Sequence, residues 1–258
     1  MIYDKFSVVL LSALNAERPD STNAYIAGYM LEHRAEVANL GIQALAERTH
    51  VGVGSISRFC KDIGLADFAA LKALLQADAA LPDSAFAGLD AAARATAWST
   101  HVGQSIALAA ESLDAGRLRQ LCREIHGATR VSAYGLLKAE SAAIDLQVDM
   151  LHLGRRVHTC ISYAEQMRAI QAADANDLIL LFSYTGAYFE YGDFRADPGR
   201  ANRPRLWMIC AAQAEKPRFV DEVLCFSSPR DRASHPFQLE AAESLLALTY
   251  AEMYANSR

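Results

Sequence analysis

Apolar residues recur every three to four positions through the first third of the chain, which is the period of amphipathic helices. The run VVLLSAL, residues 8–14, reads as one such helix. Ile26, Met30 and Leu31 mark a second, closed by a turn over 37–41. Leu45 and Ala46 then sit on a short helix, Val51 plugs a turn, and Ile56 and Phe59 share the inward face of the next helix. Phe68, Leu71, Leu74 and Leu75 continue the pattern on one further face. The segment IQALAERTHVGVGSISRFCKDIG, residues 42–64, therefore has the spacing of a helix-turn-helix, with Ala46 small enough for a close crossing. Its outward set is Gly52, Val53, Gly54, Ser55, Ser57, Arg58 and Lys61, placed where a DNA major groove would lie. Arg58 suits a bidentate contact to guanine, and Ser55, Ser57 and Lys61 suit phosphates. The plainer alternative for Arg58 is a solvated or ion-paired surface arginine.

The period then changes. Over 79–97 the pattern loosens around Pro82, Asp83, Ser84 and Gly88, which predicts a linker. Helices are predicted over 96–115 and 117–126, the second with Leu118, Leu121, Cys122 and Ile125 on one face. Short apolar runs follow, at RVSAYG (130–135), RRVHTCI (155–161), DLILLFS (177–183), RLWMICA (205–211) and VDEVLCF (220–226). Helical stretches at 136–154, 163–173, one beginning at 186–194, and 235–254 separate or follow them. DLILLFS has no polar alternation, as expected of a strand buried on both faces. Strands alternating with helices imply parallel crossover units. The predicted fold class is α plus α/β: an all-α helix-turn-helix domain over 1–78, a linker over 79–97, and over 98–258 a three-layer α-β-α sandwich on a mostly five-stranded parallel sheet. Leu239, Leu245, Leu246, Leu248 and Tyr250 give the last helix more apolar surface than one flank of a sheet needs, so a dimer or tetramer is expected.

Composition narrows the picture little. The formal net charge is −5 over 258 residues, so no global basic signature of nucleic-acid binding exists. DNA affinity would have to come from a local stripe of Arg34, Arg48, Arg58, Lys61 and Lys72 and from doubling in a dimer, on an operator built as an inverted repeat. The five cysteines are scattered without a paired motif, which argues against a metal site and fits core thiols in a reducing cytoplasm. No cofactor motif is present, and the VVLLSAL run is too short to span a membrane.

Ligands of parallel sheets bind beyond the carboxyl ends of strands. Two loops occupy that position, Gly135-Leu136-Leu137-Lys138-Ala139 and Ser183-Tyr184-Thr185-Gly186-Ala187-Tyr188. In the second, the Ser183 and Thr185 hydroxyls and the amides around Gly186 converge on a helix start, an arrangement suited to an anion, with Lys138 as a positive partner. A simple helix cap is the alternative for Ser183 and Thr185.

Two resemblances rest on these residues. The first 78 or so residues resemble the N-terminal domain of RpiR-family bacterial regulators, through Ile26-Ala27, Leu45-Ala46, Val51, the 55–59 run SISRF, Ile63-Gly64-Leu65, Phe68 and Leu71-Lys72. Gly52 stands where those regulators usually carry a capping Ser. The stretch from about 100 to 258 resembles sugar isomerase (SIS) domains, with Ser183 to Tyr188 in place of their SxSGxT phosphate loop. The likeness is incomplete: Leu137 and Ala139 replace the second Gly and the Ser of the GxGxS loop, Tyr188 replaces the last Thr, and Ala211-Ala212 replaces a Thr after the fourth strand. Together the resemblances imply a transcriptional regulator, not an enzyme, that senses a phosphorylated sugar or related anionic metabolite. Either the pocket is retuned, with Lys138 or Tyr188 supplying the new polar contact, or the domain is kept for dimerisation. The rivals are a SIS-type isomerase and a ligand-blind dimeric DNA-binding protein. For an isomerase, Glu190 and His235 are the candidates by position; a surface glutamate and a capping-region histidine are the plainer readings.

Overall fold

The computed structural model describes residues 4–76, 86–191, 202–211, 216–229 and 231–254. Polar caps cut the first part into helices. Asp4 accepts from the Ser7 amide at the start of α1 (Lys5–Ala16), and Ser21 accepts from Ala24 at the start of α2 (Thr22–Glu32). A single turn, α3 (Arg34–Val37), leads to α4 (Ile42–Arg48), α5 (Val53–Asp62) and α6 (Phe68–Gln76). Phe6, Leu10, Ile26, Met30, Leu45, Ile56, Phe59 and Leu71 are fully buried in one core. The joint of α4 and α5 is a Schellman turn with His50 in the left-handed region at φ 52°, Val51 N donating to Ala46 O and His50 N to Glu47 O. Val51 is only partly buried there, less than its predicted role as a plug requires, while Cys60 is fully buried beside Phe59.

The second part begins with α7 (Ala91–Ser112), so the later residues of the predicted linker are helical and its earlier ones, 79–85, lie outside the described residues. Then come α8 (Ala115–Gly127), β1 (Arg130–Tyr134), α9 (Lys138–His152), β2 (Val157–His158), α10 (Tyr163–Ala172), β3 (Asp177–Phe182), β4 (Arg205–Ala211), β5 (Glu222–Phe226) and α11 (Phe237–Tyr254). The five strands are all parallel in the order β2-β1-β3-β4-β5. β3 is central and buried along its whole length, as its unbroken apolar run demands. The helix expected to begin at 186–194 is only a 3-10 turn at Tyr188–Glu190, and 192–194 lie outside the described residues.

Alternation along the strands feeds two separate cores. Val131, Ala133, Leu180, Phe182, Trp207 and Ile209 pack under α7, α8, α9 and α11. Tyr134, Ile179, Leu181, Met208 and Cys210 point the other way, where α10 and the Tyr188–Phe189 turn cover them together with Val8 of α1. The N-terminal helix thus belongs to both parts of the molecule. Phe6, Leu10 and Ala13 enter the helical core, and Val8 enters the core beneath the sheet. Ser12 fixes the contact: its hydroxyl donates to Ile161 O and accepts from Tyr163 N, each at 3.1 Å. Lys5 pairs with Glu190 at 2.9 Å.

One expected surface is mostly interior. Leu239, Leu246 and Tyr250 of α11 are buried against their own domain, which leaves Leu248 as the exposed member of the predicted set and Leu245 half-buried. Large apolar residues left exposed include Ile144, Val148 and Leu151 of α9 and Leu248 of α11, together with Trp98 and Leu108 of α7. Among the described residues no helix is long and apolar enough to cross a membrane.

Candidate DNA-reading helix and effector cradle

Helix α5 presents Gly52, Val53, Gly54, Arg58 and Lys61 to solvent, with Ser55 and Ser57 half-buried at the edge of the same face. Gly52 is the N-cap in extended conformation and offers no side-chain cap. A Cβ added at Gly52 or Gly54 would meet nothing within 4 Å, so neither glycine is required by the protein's own packing. The basic stripe expected around this helix breaks up. Arg34 is held by Asp4 at 2.8 Å and lies over the Phe6 ring, and Arg48 reaches Glu36 at 3.3 Å. Lys72 is a structural cap, its ammonium donating to the carbonyls of Val37, Ala38 and Leu40 where α3 ends. Among the described residues no ion pair engages Arg58 or Lys61. Lys61 also lines a cleft of about 290 Å³ against Tyr163, Met167 and Arg168 of α10, so the end of α5 faces the second domain.

At the carboxyl ends of β1 and β3 the two predicted loops do meet. Gly135 is obligatory, because a Cβ there would lie 2.3 Å from Ala139 O in the first turn of α9. Leu137, at φ 52° and ψ −115°, keeps a positive-φ backbone in the place where SIS loops have Gly. The second loop is self-contained: Gly186 N donates to Ser183 O at 2.9 Å and Ala187 N to the Thr185 hydroxyl at 3.4 Å. Among the described residues only a 3-10 turn follows, too short to supply the expected helix dipole, and the Gly186 amide is already engaged. Tyr188 is no free polar contact either. Its ring is buried, and its hydroxyl donates to Gln166, which in turn holds Gly135 O and Cys160 O. Burial pushes the Tyr188 phenol well above its ordinary range. Ala211 is buried at the end of β4, and Ala212 lies outside the described residues. Between Leu136, Ala139, Ser183, Thr185, Tyr188 and His235 remains a void of about 40 Å³. That volume holds a few waters. Ligand pockets for small molecules run to roughly 300–1,000 Å³.

A larger cleft, about 590 Å³, opens beside it and shares Val8 and Leu137 with the void. Lys138 lines this cleft and also donates to His235 O at 3.4 Å. Ser7, Leu11 and Asn15 of α1 line it as well, with Glu140 and Arg232. Burial pushes the Glu140 carboxyl up to about 7. None of these α1 residues, nor Glu140, stood out in the sequence, since α1 reaches the site across more than a hundred residues of chain. Glu140 left one faint signal, a carboxylate in the first turn of a helix that starts at a ligand-facing loop.

The candidate bases of an isomerase are arranged differently from each other. Glu190 is exposed and paired with Lys5 on the outer side of its turn, away from the void. His235 is buried against Tyr184 and lines the void, and burial together with Lys138 lowers its imidazole to about 4, so it is neutral at pH 7. Among the described residues no group of His, Cys, Asp or Glu is placed to hold a metal ion. The five cysteines are free thiols, with Cys60, Cys122 and Cys210 buried and Cys160 and Cys225 half-buried.

Residues 15–82 match the helix-turn-helix domain of the rpiR family, so the α5 unit is an rpiR-type helix-turn-helix. No curated protein matches the chain. The Vibrio vulnificus NanR protein complexed with ManNAc-6P shares the fold at a TM-score of 0.55 and 16% identity, over 96% of this chain and 93% of that one. The sugar isomerase domain of an RpiR transcription factor from Sphaerobacter thermophilus aligns at 0.51 and 17% identity, over 63% of this chain and 92% of that one. A ligand-bound protein of E. coli CFT073 aligns at 0.51 and 11% identity, covering 64% and 91%. The second part of this chain therefore has the SIS-like fold.

Proposed function

We propose that the chain is a DNA-binding transcriptional regulator in which α5 reads an operator and the SIS-like domain senses a phosphorylated sugar or a related anionic metabolite. The observation that carries this reading is an rpiR-type helix-turn-helix, with its reading face exposed, on the same chain as a sheet whose two ligand-facing loops converge. NanR, which shares the fold along nearly the whole chain, is a protein complexed with ManNAc-6P, and that supports the ligand class. Gly52, Val53, Gly54, Ser55, Ser57, Arg58 and Lys61 would contact DNA. Lys138, Ser183, Thr185 and Gly186 would receive the anion, with Tyr188 acting as a wall. The void of about 40 Å³ must widen to do so. The test is a thermal-shift screen of sugar phosphates followed by a gel-shift assay; a binder at 100 times its Kd raises stability by about 2.7 kcal/mol. No shift across the panel favours the ligand-blind alternative.

An isomerase is the second reading, favoured by one observation: Glu140, a buried carboxyl held near 7, shares a cleft with Lys138. Interconversion of an aldose and ketose phosphate by the purified protein would establish it. Doubling of the DNA contact would come from a homodimer through the apolar face of α9 and α11, giving inverted-repeat half-sites about 34–36 Å apart or a multiple of that. No membrane role, metal or cofactor is part of this reading.

A further inference from the structure

On that reading the loop cradle receives the anion, once widened, but it leaves nothing to recognise the rest of a sugar. The adjoining cleft does. Glu140 is 7% exposed and lines it, and among the described residues no hydrogen bond or ion pair engages its carboxyl. Burying a carboxyl without protein donors is costly, and the cleft is the side from which donors, of water or of a ligand, can reach it. The groups around it come from every packed element. Lys138 stands on its own helix, Arg232 in the segment before α11, and Asp4 at the cap of α1, already committed to Arg34 and the Ser7 amide. Cys160 and Tyr188 lie behind it, the latter bonded to Gln166. The opposite wall offers the Ser7 hydroxyl and the Asn15 amide, with Val8, Leu11 and Leu137 as apolar surface between them. A carboxylate, an amide, a hydroxyl and an apolar patch in one cleft beside an anion loop are the partners of a polyhydroxylated carbon chain carrying a phosphate.

We propose that the cleft between α1 and α9 is the sugar-reading half of the effector site, where Glu140 accepts hydrogen bonds from ligand hydroxyls and Ser7 and Asn15 of α1 form the opposing wall. This rests on the reading of the chain as a sugar-phosphate sensor. It adds the hydroxyl-recognising residues and places two of the three, Ser7 and Asn15, on α1. Because Phe6, Leu10 and Ala13 of α1 are part of the helical core, a ligand filling the cleft pushes directly on the DNA-binding domain. No relay through the sheet is needed, and effector occupancy and helix-turn-helix placement become two states of one helix.

The test is calorimetric titration of the full chain with hexose 6-phosphates, N-acetylhexosamine 6-phosphates and pentose 5-phosphates, using wild type, Glu140→Gln, Asn15→Ala and Ser183→Ala. Thermal melts of each variant at pH 8 accompany the titrations. The sugar phosphate that binds wild type is expected to bind Glu140→Gln at least ten-fold more weakly and Asn15→Ala several-fold more weakly, since losing one partner of a charged hydrogen bond costs about that much. Glu140→Gln is expected to melt at a higher temperature than wild type at pH 8 while it binds less well. A residue with a merely structural role would not show that opposition. If Glu140→Gln and Asn15→Ala bind like wild type while Ser183→Ala is weakened, the cleft assignment is overturned and the sensor reading stands. If nothing in the panel binds wild type, both fall together.

Discussion

Glu243 lies in α11 at 1% exposure, and burial, with Asp149 and Asp145 nearby, pushes its carboxyl from an ordinary 4.5 up to about 8. In the folded chain it therefore keeps its proton through a range in which the unfolded chain has released it. The folded state binds more protons between about 4.5 and about 8, so this group's contribution to stability is greatest below 4.5 and is lost as pH rises through that window. Glu243→Gln should raise the melting temperature at pH 8 and leave it nearly unchanged at pH 4; equal effects at both pH values would contradict the burial argument. On α5 the relevant residue is Gly54. With open space where a Cβ would go, Gly54→Ala should stabilise the helix by about 0.5–1 kcal/mol, measured by chemical denaturation. A loss of stability would mean that the site is crowded after all. The α5 face was legible because Ile56 and Phe59 fix which way the helix turns, and Arg58 and Lys61 follow from that spacing. Lys72, Arg34 and Tyr188 were not legible. Each has its role set by a partner remote in sequence or in fold: the end of α3, the cap of α1 and Gln166.

Among the elements, the strand-to-helix loop before α9 shows how a backbone outlasts its glycine. Leu137 holds φ 52°, a region that disfavours side chains by roughly 1–2 kcal/mol, and it is only half-buried. Leu137→Gly relieves that strain but gives up packing and frees the unfolded chain. The change in stability should stay within about 1 kcal/mol, well below the roughly 2–5 kcal/mol of a core leucine truncation. Equilibrium denaturation decides between the two magnitudes. Helix α1 is the element whose role the sequence hid. Its VVLL run reads as one amphipathic face, yet Val8 and Val9 enter different cores. Ser12 is where the two parts are joined. Ser12→Ala removes the hydrogen bond to Ile161 O and the one from the Tyr163 amide, and should cost about 1–3 kcal/mol of unfolding free energy. An unchanged value would mean that the two parts do not rely on this contact. That the loop of Ser183 to Tyr188 leads into a 3-10 turn was beyond sequence reasoning for a related reason: the Tyr188 hydroxyl is drawn inward to Gln166.

For the whole molecule, alternating periods were enough to give the order of units, five parallel strands and the position of the ligand-facing loops. Docking of the units was not, because period reports which face is apolar and not what covers it. The same limit applies to α11, whose leucines look like an interface in sequence and are largely core in the fold. In the proposed homodimer, Leu151 and Leu248, exposed at 64% and 65%, would lie in a face made by α9 and α11. Light scattering at micromolar concentration should give a dimer or tetramer for wild type, and Leu151→Lys with Leu248→Lys should shift it towards monomer. The central claim is that α5 reads DNA under control of a sugar phosphate. It is tested most directly by selecting sites from random duplex DNA with the full chain and measuring affinity for the enriched site by fluorescence anisotropy. The account predicts an inverted repeat, a loss of about 1–3 kcal/mol for Arg58→Ala, and a changed affinity with at least one sugar phosphate. Enrichment of no sequence, or of a site whose affinity ignores both Arg58→Ala and every sugar phosphate, would contradict it.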